Sequence, residues 1–181
     1  MRPIHLAVCL LALTAACTGK PSLNDPLIGD RILQIEQFFD GEITGVGQYQ
    51  TVFGKAKRSF TVTMQGDWDG KRLHLVENFA FEDGTTDQRI WTLVKSGPGA
   101  WRGTAPNVIG DAVGIEQGNR FNWRYTIDLP VPDRKGTAKI QRVKFVDWMW
   151  LLADDRIFNR GYMQRLGFGF GDVSISFEKT R

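Results

Sequence analysis

The sequence predicts an all-β fold, an antiparallel up-and-down β-barrel of about 8–10 strands with one short N-terminal helix. Three observations carry this. Apolar residues alternate with polar ones over long stretches, Leu73, Leu75, Phe79 and Phe81 against Arg72, His74, Asn78 and Ala80 being the clearest. Turn pairs such as Asp83-Gly84 and Gly118-Asn119 recur between these stretches. Only one segment, near the start, has helical spacing.

The first residues form a leader and a tether. Met1-Arg2 is followed by the apolar run Leu6 to Leu13 and the small residues Thr14, Ala15 and Ala16. That is the layout of a secretory signal, and the run is about half of the ~20 residues needed to span a bilayer as a helix. Leu13-Thr14-Ala15-Ala16-Cys17 resembles the lipobox of bacterial lipoproteins, with Thr14 where leucine is usual. The expectation is a signal peptide over 1–16 and lipidation of Cys17 with acyl chains such as palmitate. Several such chains, at ~0.8 kcal/mol per buried methylene, make a stable anchor. Thr18 after the cysteine, in place of aspartate, favours the outer membrane, facing the periplasm. Residues 17–28 are polar and rich in turn-formers, a lipidated tether, and 29–181 form a single barrel domain.

Within that domain, Ile32, Ile35, Phe38 and Phe39 predict an amphipathic helix over Asp30 to Phe39, ended by Asp40-Gly41 and covering one end of the barrel. Strands are predicted over Glu42 to Phe53, Arg58 to Trp68, Lys71 to Phe81, Arg89 to Ser96 and Trp101 to Asn107. Val113 to Gln117, Arg120 to Leu129, Gly136 to Trp148 and Asp172 to Lys179 complete the set. Asp154-Asp155-Arg156 reads as a turn, and Gly167, Gly169 and Gly171 as a strand that bends.

Composition narrows the chemistry. The formal charge of +3 includes Arg2 of the leader, and the basic stretch Arg134 to Lys144 reads as a solvated strand face, so no nucleic-acid partner is expected. Cys17 is the one cysteine left after cleavage, and His74, on the polar side of its strand, the one histidine. Cys-His and Ser-His-Asp catalysis, thiolate zinc sites and multi-histidine metal sites lack their usual parts. No glycine-rich phosphate loop opens a helix after a strand. The expected cofactor set is therefore empty, with no metal and no catalytic residues assigned.

The candidate binding residues are Glu77, Arg124, Asp147, Trp148 and Trp150. Glu77 falls on the inward register among leucines and phenylalanines, where burial raises a carboxyl pKa unless Arg89 or Arg124 pairs with it. Asp147-Trp148-Met149-Trp150-Leu151-Leu152 packs too many large side chains into six places for one core face, so at least one tryptophan should face a rim or cavity mouth. It would do so either in plain packing, with its indole N–H bonded to Asp147 or a backbone carbonyl, or by lining an apolar ligand site or dipping toward the membrane.

Several stretches together resemble one family. They are Phe38-Phe39-Asp40-Gly41, Gly103-Thr104-Ala105, Val108-Ile109-Gly110, Trp123-Arg124-Tyr125, Asp128-Leu129-Pro130, Asp147-Trp148-Met149-Trp150-Leu151 and Asp154 to Arg160. The chain is similar to the bacterial lipoproteins of the DUF3833 family, departing from their pattern at Asn107 and Val146, where acids are usual. The resemblance implies a periplasm-facing lipoprotein and no established activity. One helix with eight or more meandering strands also resembles a lipocalin-like architecture. The expectation is an envelope lipoprotein, held to the membrane by its N-terminus and monomeric. It would bind a fatty acid or lipid-like apolar ligand in the barrel. The alternatives are an adaptor docking a partner protein and, third, a lipid-modifying enzyme using Glu77, Asp147 and Arg124.

Overall fold

The computed structural model describes residues 19–51, 57–132 and 137–180. The expected leader, Cys17, Val52 and Phe53 of the first expected strand, and Arg134 to Gly136 lie outside them. Described are a helical turn, α1 (Ile35–Phe38), and ten strands: β1 (Gly41–Thr51), β2 (Lys57–Trp68), β3 (Arg72–Phe81), β4 (Thr86–Gly97), β5 (Ala100–Thr104), β6 (Ala112–Gln117), β7 (Arg120–Pro132), β8 (Ala138–Ala153), β9 (Arg156–Arg165) and β10 (Phe168–Lys179). Each strand pairs antiparallel with the next, and β1 pairs with β10, so the sheet closes into an up-and-down barrel. Closure gives each described strand a neighbour on both sides.

The alternation read in the sequence sets which side chains point inward. On β3, Leu73 and Leu75 are buried while His74 and Asn78 are exposed; on β7, Phe121, Trp123, Tyr125 and Ile127 are buried. An interior this aromatic closes only where small residues face large ones. Gly114 is such a place: a Cβ there would stand 2.4 Å from the Phe121 ring.

One end of the barrel is plugged. Leu33, Ile35, Phe38 and Phe39 are all buried there, and Trp68 packs edge-on against Trp101. The expected ten-residue helix is corrected to a single turn. The Leu33 N–H donates to the Gly118 carbonyl (2.8 Å), which pins residues before the turn to the β6–β7 hairpin, and Ile32 stays exposed. The Ile35 N–H donates to the Glu116 carboxylate (2.8 Å), a cap supplied from β6. Further packing comes from Gly66, where a Cβ would lie 1.6 Å from the Phe39 carbonyl oxygen.

Two strand predictions are also corrected. The strand expected to end at Trp148 runs on to Ala153, and residues after the Asp154-Asp155 turn form β9. The inward side of β9 carries Asn159 and Gly161 beside Ile157 and Met163, while its outward side carries Phe158 and Tyr162, so polarity does not mark its faces. The bend expected at the late glycines is a bulge between Gly169 and Gly171.

The segment before α1 lies along the outside of the barrel. Arg120 donates to the carbonyls of Leu23 (2.7 Å) and Asp25 (2.9 Å) as well as to Gln117, and the Lys20 ammonium sits 5.5 Å from the Tyr162 ring centroid. Arg120, Trp148 and Tyr162 all face outward from β7, β8 and β9. A strap held at Arg120 and at Tyr162 runs over the face between them, where the outward Trp148 is only 3% exposed.

Candidate functional site

The barrel encloses a cavity of about 240 Å³. Its walls are apolar, with Phe60, Leu75, Phe79, Trp91, Trp123 and Phe145 the main contributors. The end nearest α1 is shut by the plug. At the other end Tyr49, Arg58, Phe81 and Asp87 line the cavity and are half-buried or exposed, so the opening is there. Arg58 closes part of that rim. It makes a two-point ion pair with Asp83, bonds Thr85 and lies 3.7 Å from the Phe81 ring centroid.

Inside, four polar side chains meet. Glu77 stands directly opposite Arg89 across β3 and β4. Nη1 of Arg89 reaches the Tyr125 hydroxyl from across the barrel at 3.5 Å, the limit of a hydrogen bond. Tyr125 is stacked flat on Phe145 (5.0 Å) and bonds to Asp147. Asp147 fits because β9 puts Gly161 opposite it: a Cβ on that glycine would be 2.1 Å from the Asp147 Oδ1.

The electrostatics follow from taking these groups out of water. Burial pushes the Asp147 carboxyl up to about 7, with the nearby Glu77 charge adding to the rise and Arg89 and the Tyr125 hydroxyl opposing it. Glu77 is raised by burial, against the pull of Arg89 and a hydrogen bond from the Trp91 indole. Its surface is partly accessible only because it faces the cavity. Burial and the Asp147 charge raise the Tyr125 hydroxyl well above its ordinary value. Burial disfavours the Arg89 charge, but Tyr125, Glu77, Asp147 and Asp87 outweigh it and the guanidinium is held on. The cavity thus has one fixed cation between two carboxyls, at least one of which tends to keep its proton near neutrality. It can give and accept hydrogen bonds without a net charge.

Of the five residues singled out in the sequence, Glu77 and Asp147 line this cavity, and Arg124, Trp148 and Trp150 do not. Arg124 is exposed on the outer face, because on β7 it alternates with the inward Trp123 and Tyr125; the partner of Glu77 is Arg89. An enzyme site uniting Glu77, Asp147 and Arg124 is therefore corrected: the arginine lies on the other side of the sheet. On β8, Asp147, Met149 and Leu151 point inward, which turns both tryptophans outward. Trp148 stacks on Trp150 (6.2 Å), and Trp150 on Phe158 (6.1 Å). The buried Trp148 indole nitrogen has no hydrogen-bond partner among the described residues, where one with Asp147 or a carbonyl was expected. Neither Tyr125 nor Gly161 was identified as a site residue, although the inward register of Tyr125 beside Trp123 was legible. His74 is exposed as expected. Among the described residues no group of three His, Cys, Asp or Glu side chains is placed to hold a metal ion, and no helix is long and apolar enough to cross a membrane.

The family model DUF3833, "Protein of unknown function", matches residues 11–179. No curated protein matches the sequence. Two solved structures share the fold at low identity. One is a protein of unknown function from the DUF3598 family of Nostoc punctiforme, with a TM-score of 0.57 and 14% identity over 83% of this chain, spanning only 50% of its own length. The other is the S-type phycobiliprotein lyase of Guillardia theta, with a TM-score of 0.58 and 8% identity over 82% of this chain and 94% of its own. At such identities the likeness is one of fold, a lipocalin-like barrel.

Proposed function

We propose that this chain, which belongs to the DUF3833 family of proteins of unknown function, holds a fatty acid or similarly built lipid fragment in its barrel. The observation that carries the reading is the polar quartet of Glu77, Arg89, Tyr125 and Asp147 inside a largely apolar, one-ended cavity. Apolar walls with a few convergent polar groups are the usual build of a small-molecule site. Packing alone gives no reason to bury one arginine and two carboxyls, which are costly to desolvate. A cavity of about 240 Å³ lies just below the ~300 Å³ at which drug-sized sites begin, which suits a short chain or one whose tail extends through the opening. That a phycobiliprotein lyase is built on a similar barrel supports the reading.

The protein would do this as an envelope lipoprotein, anchored through Cys17 at the outer membrane and facing the periplasm. The lipobox-like run Leu13 to Cys17 supports that placement. Replacing the thiol, Cys17→Ser, is expected to move the protein from the membrane to the soluble fraction of its host.

Native mass spectrometry of the protein purified from its host, followed by organic extraction, tests the binding. A stoichiometric lipid lost in Arg89→Ala is the expected result. A clean apo mass, with no uptake of added fatty acids, would overturn the reading and leave a docking role.

A further inference from the structure

We infer that the open end of the barrel lies against a lipid bilayer, with the tip of the β9–β10 hairpin in contact with the acyl region. The orientation rests on the reading of Cys17 as the lipid anchor; the contact itself rests on the hairpin.

The hairpin tip is Arg165-Leu166-Gly167-Phe168, with Arg165 opposite Phe168 and a two-residue loop between them. Both loop residues are left-handed, Leu166 at φ 50° and Gly167 at φ 84°. A loop of this kind suits Asn-Gly, and a branched aliphatic residue at its first place is uncommon. Leu166 gains nothing from the fold in return, being 86% exposed, and Phe168 beside it is 79% exposed. Other exposed apolar residues share this end: Ile140 near the start of β8 and Ile109 in the β5–β6 connection. Arg165, also exposed, stands beside the apolar tip, where a headgroup phosphate would meet it. The cavity opens at the same end, beside Tyr49 and Arg58.

The strap gives the second, independent observation. It is fixed to Arg120 at the plugged end and climbs to Lys20 at Tyr162, which lies three residues from the rim at Arg165. Chain reach puts Cys17 within about 10 Å of Lys20. An anchor leaving the barrel there draws the open end, and not the plugged one, toward the membrane that holds it. A bilayer is then the apolar partner within reach of Leu166 and Phe168, and the source from which an apolar ligand enters.

The test uses the full chain reconstituted in vesicles of phosphatidylethanolamine and phosphatidylglycerol. Intact mass first reads whether Cys17 carries diacylglycerol. An environment-sensitive fluorophore is then placed at Phe168→Cys and, as a control, at Leu152→Cys, an exposed apolar position at the plugged end. The expected result is a blue shift at 168, with quenching by doxyl groups carried on the lipids, and water-like emission at 152. A water-like label at 168, or stronger quenching at 152, on a lipidated protein overturns the docking inference while the anchor stands. If Cys17 proves unmodified, the labels are read in Cys17→Ser: quenching at 168 alone keeps the docking inference without the anchor, and its absence ends both. A ligand found in the barrel, or not found, bears on neither result.

Discussion

Asp147 keeps its proton into the neutral range because its carboxyl is buried beside Glu77, and this makes stability depend on pH. An unfolded aspartate loses its proton near pH 4, so between about pH 4 and 7 the folded chain holds a proton that the unfolded chain does not. Stability therefore falls as pH rises through that window, by at most ~1.4 kcal/mol per unit, and levels off above it. The raised Glu77 acts with the same sign. Asp147→Asn is expected to flatten the slope and to exceed the parent in stability at pH 8. Urea unfolding at pH 5 and pH 8 measures this, and an unchanged slope would place the pH dependence elsewhere. The same ionisation adds negative charge to the cavity, so fatty-acid affinity should drop as pH rises through 7, read by ligand titration. At the facing position, Gly161→Ala puts a methyl where the Asp147 oxygen now sits and should cost about 1–3 kcal/mol by overpacking, measured by the same unfolding curves.

Hairpins and strands show where local rules are obeyed and where they are broken. Leu166→Asn puts the favoured residue into the left-handed place at the β9–β10 tip, and should stabilise the barrel by about 0.5–1 kcal/mol while weakening its contact with vesicles. Thermal unfolding and vesicle flotation of this variant, both in the Cys17→Ser protein so that no lipid anchor holds it to the vesicle, read the two effects, and a loss of stability would count against the turn argument. β3 and β7 were legible because each buries one face and wets the other. β9 was not, because the Asp147 carboxyl demands Gly161 on its inner face, while its outer face, beside the stacked Trp150 and Trp148, carries Phe158 and Tyr162 as apolar as the core. The expected helix is longer than the observed turn for a related reason: Ile32 continues the spacing of Ile35, Phe38 and Phe39, but its neighbour Leu33 spends its N–H on Gly118. Glu77 was placed correctly by period alone. Arg124 was drawn to it by charge against its own register, and Trp148 and Trp150 by an aromatic crowding that the outer face absorbs.

Across the whole molecule, ten neighbouring strands and one plug leave a hollow in the centre, and occupying it should stabilise everything that surrounds it. A ligand at a hundredfold excess over its Kd adds about 2.7 kcal/mol, which for a domain of this size raises Tm by about 5–10 °C. Scanning the protein with and without saturating medium-chain fatty acid measures the shift, and no shift would mean that the cavity stays empty. The plug has a further consequence, one of order in time. With Phe38, Phe39 and Ile35 sealing one end, a guest and its replacement must use the same passage. Exchange is then strictly sequential, departure before arrival. For the guest proposed above, a rival then cannot speed release by pushing from behind.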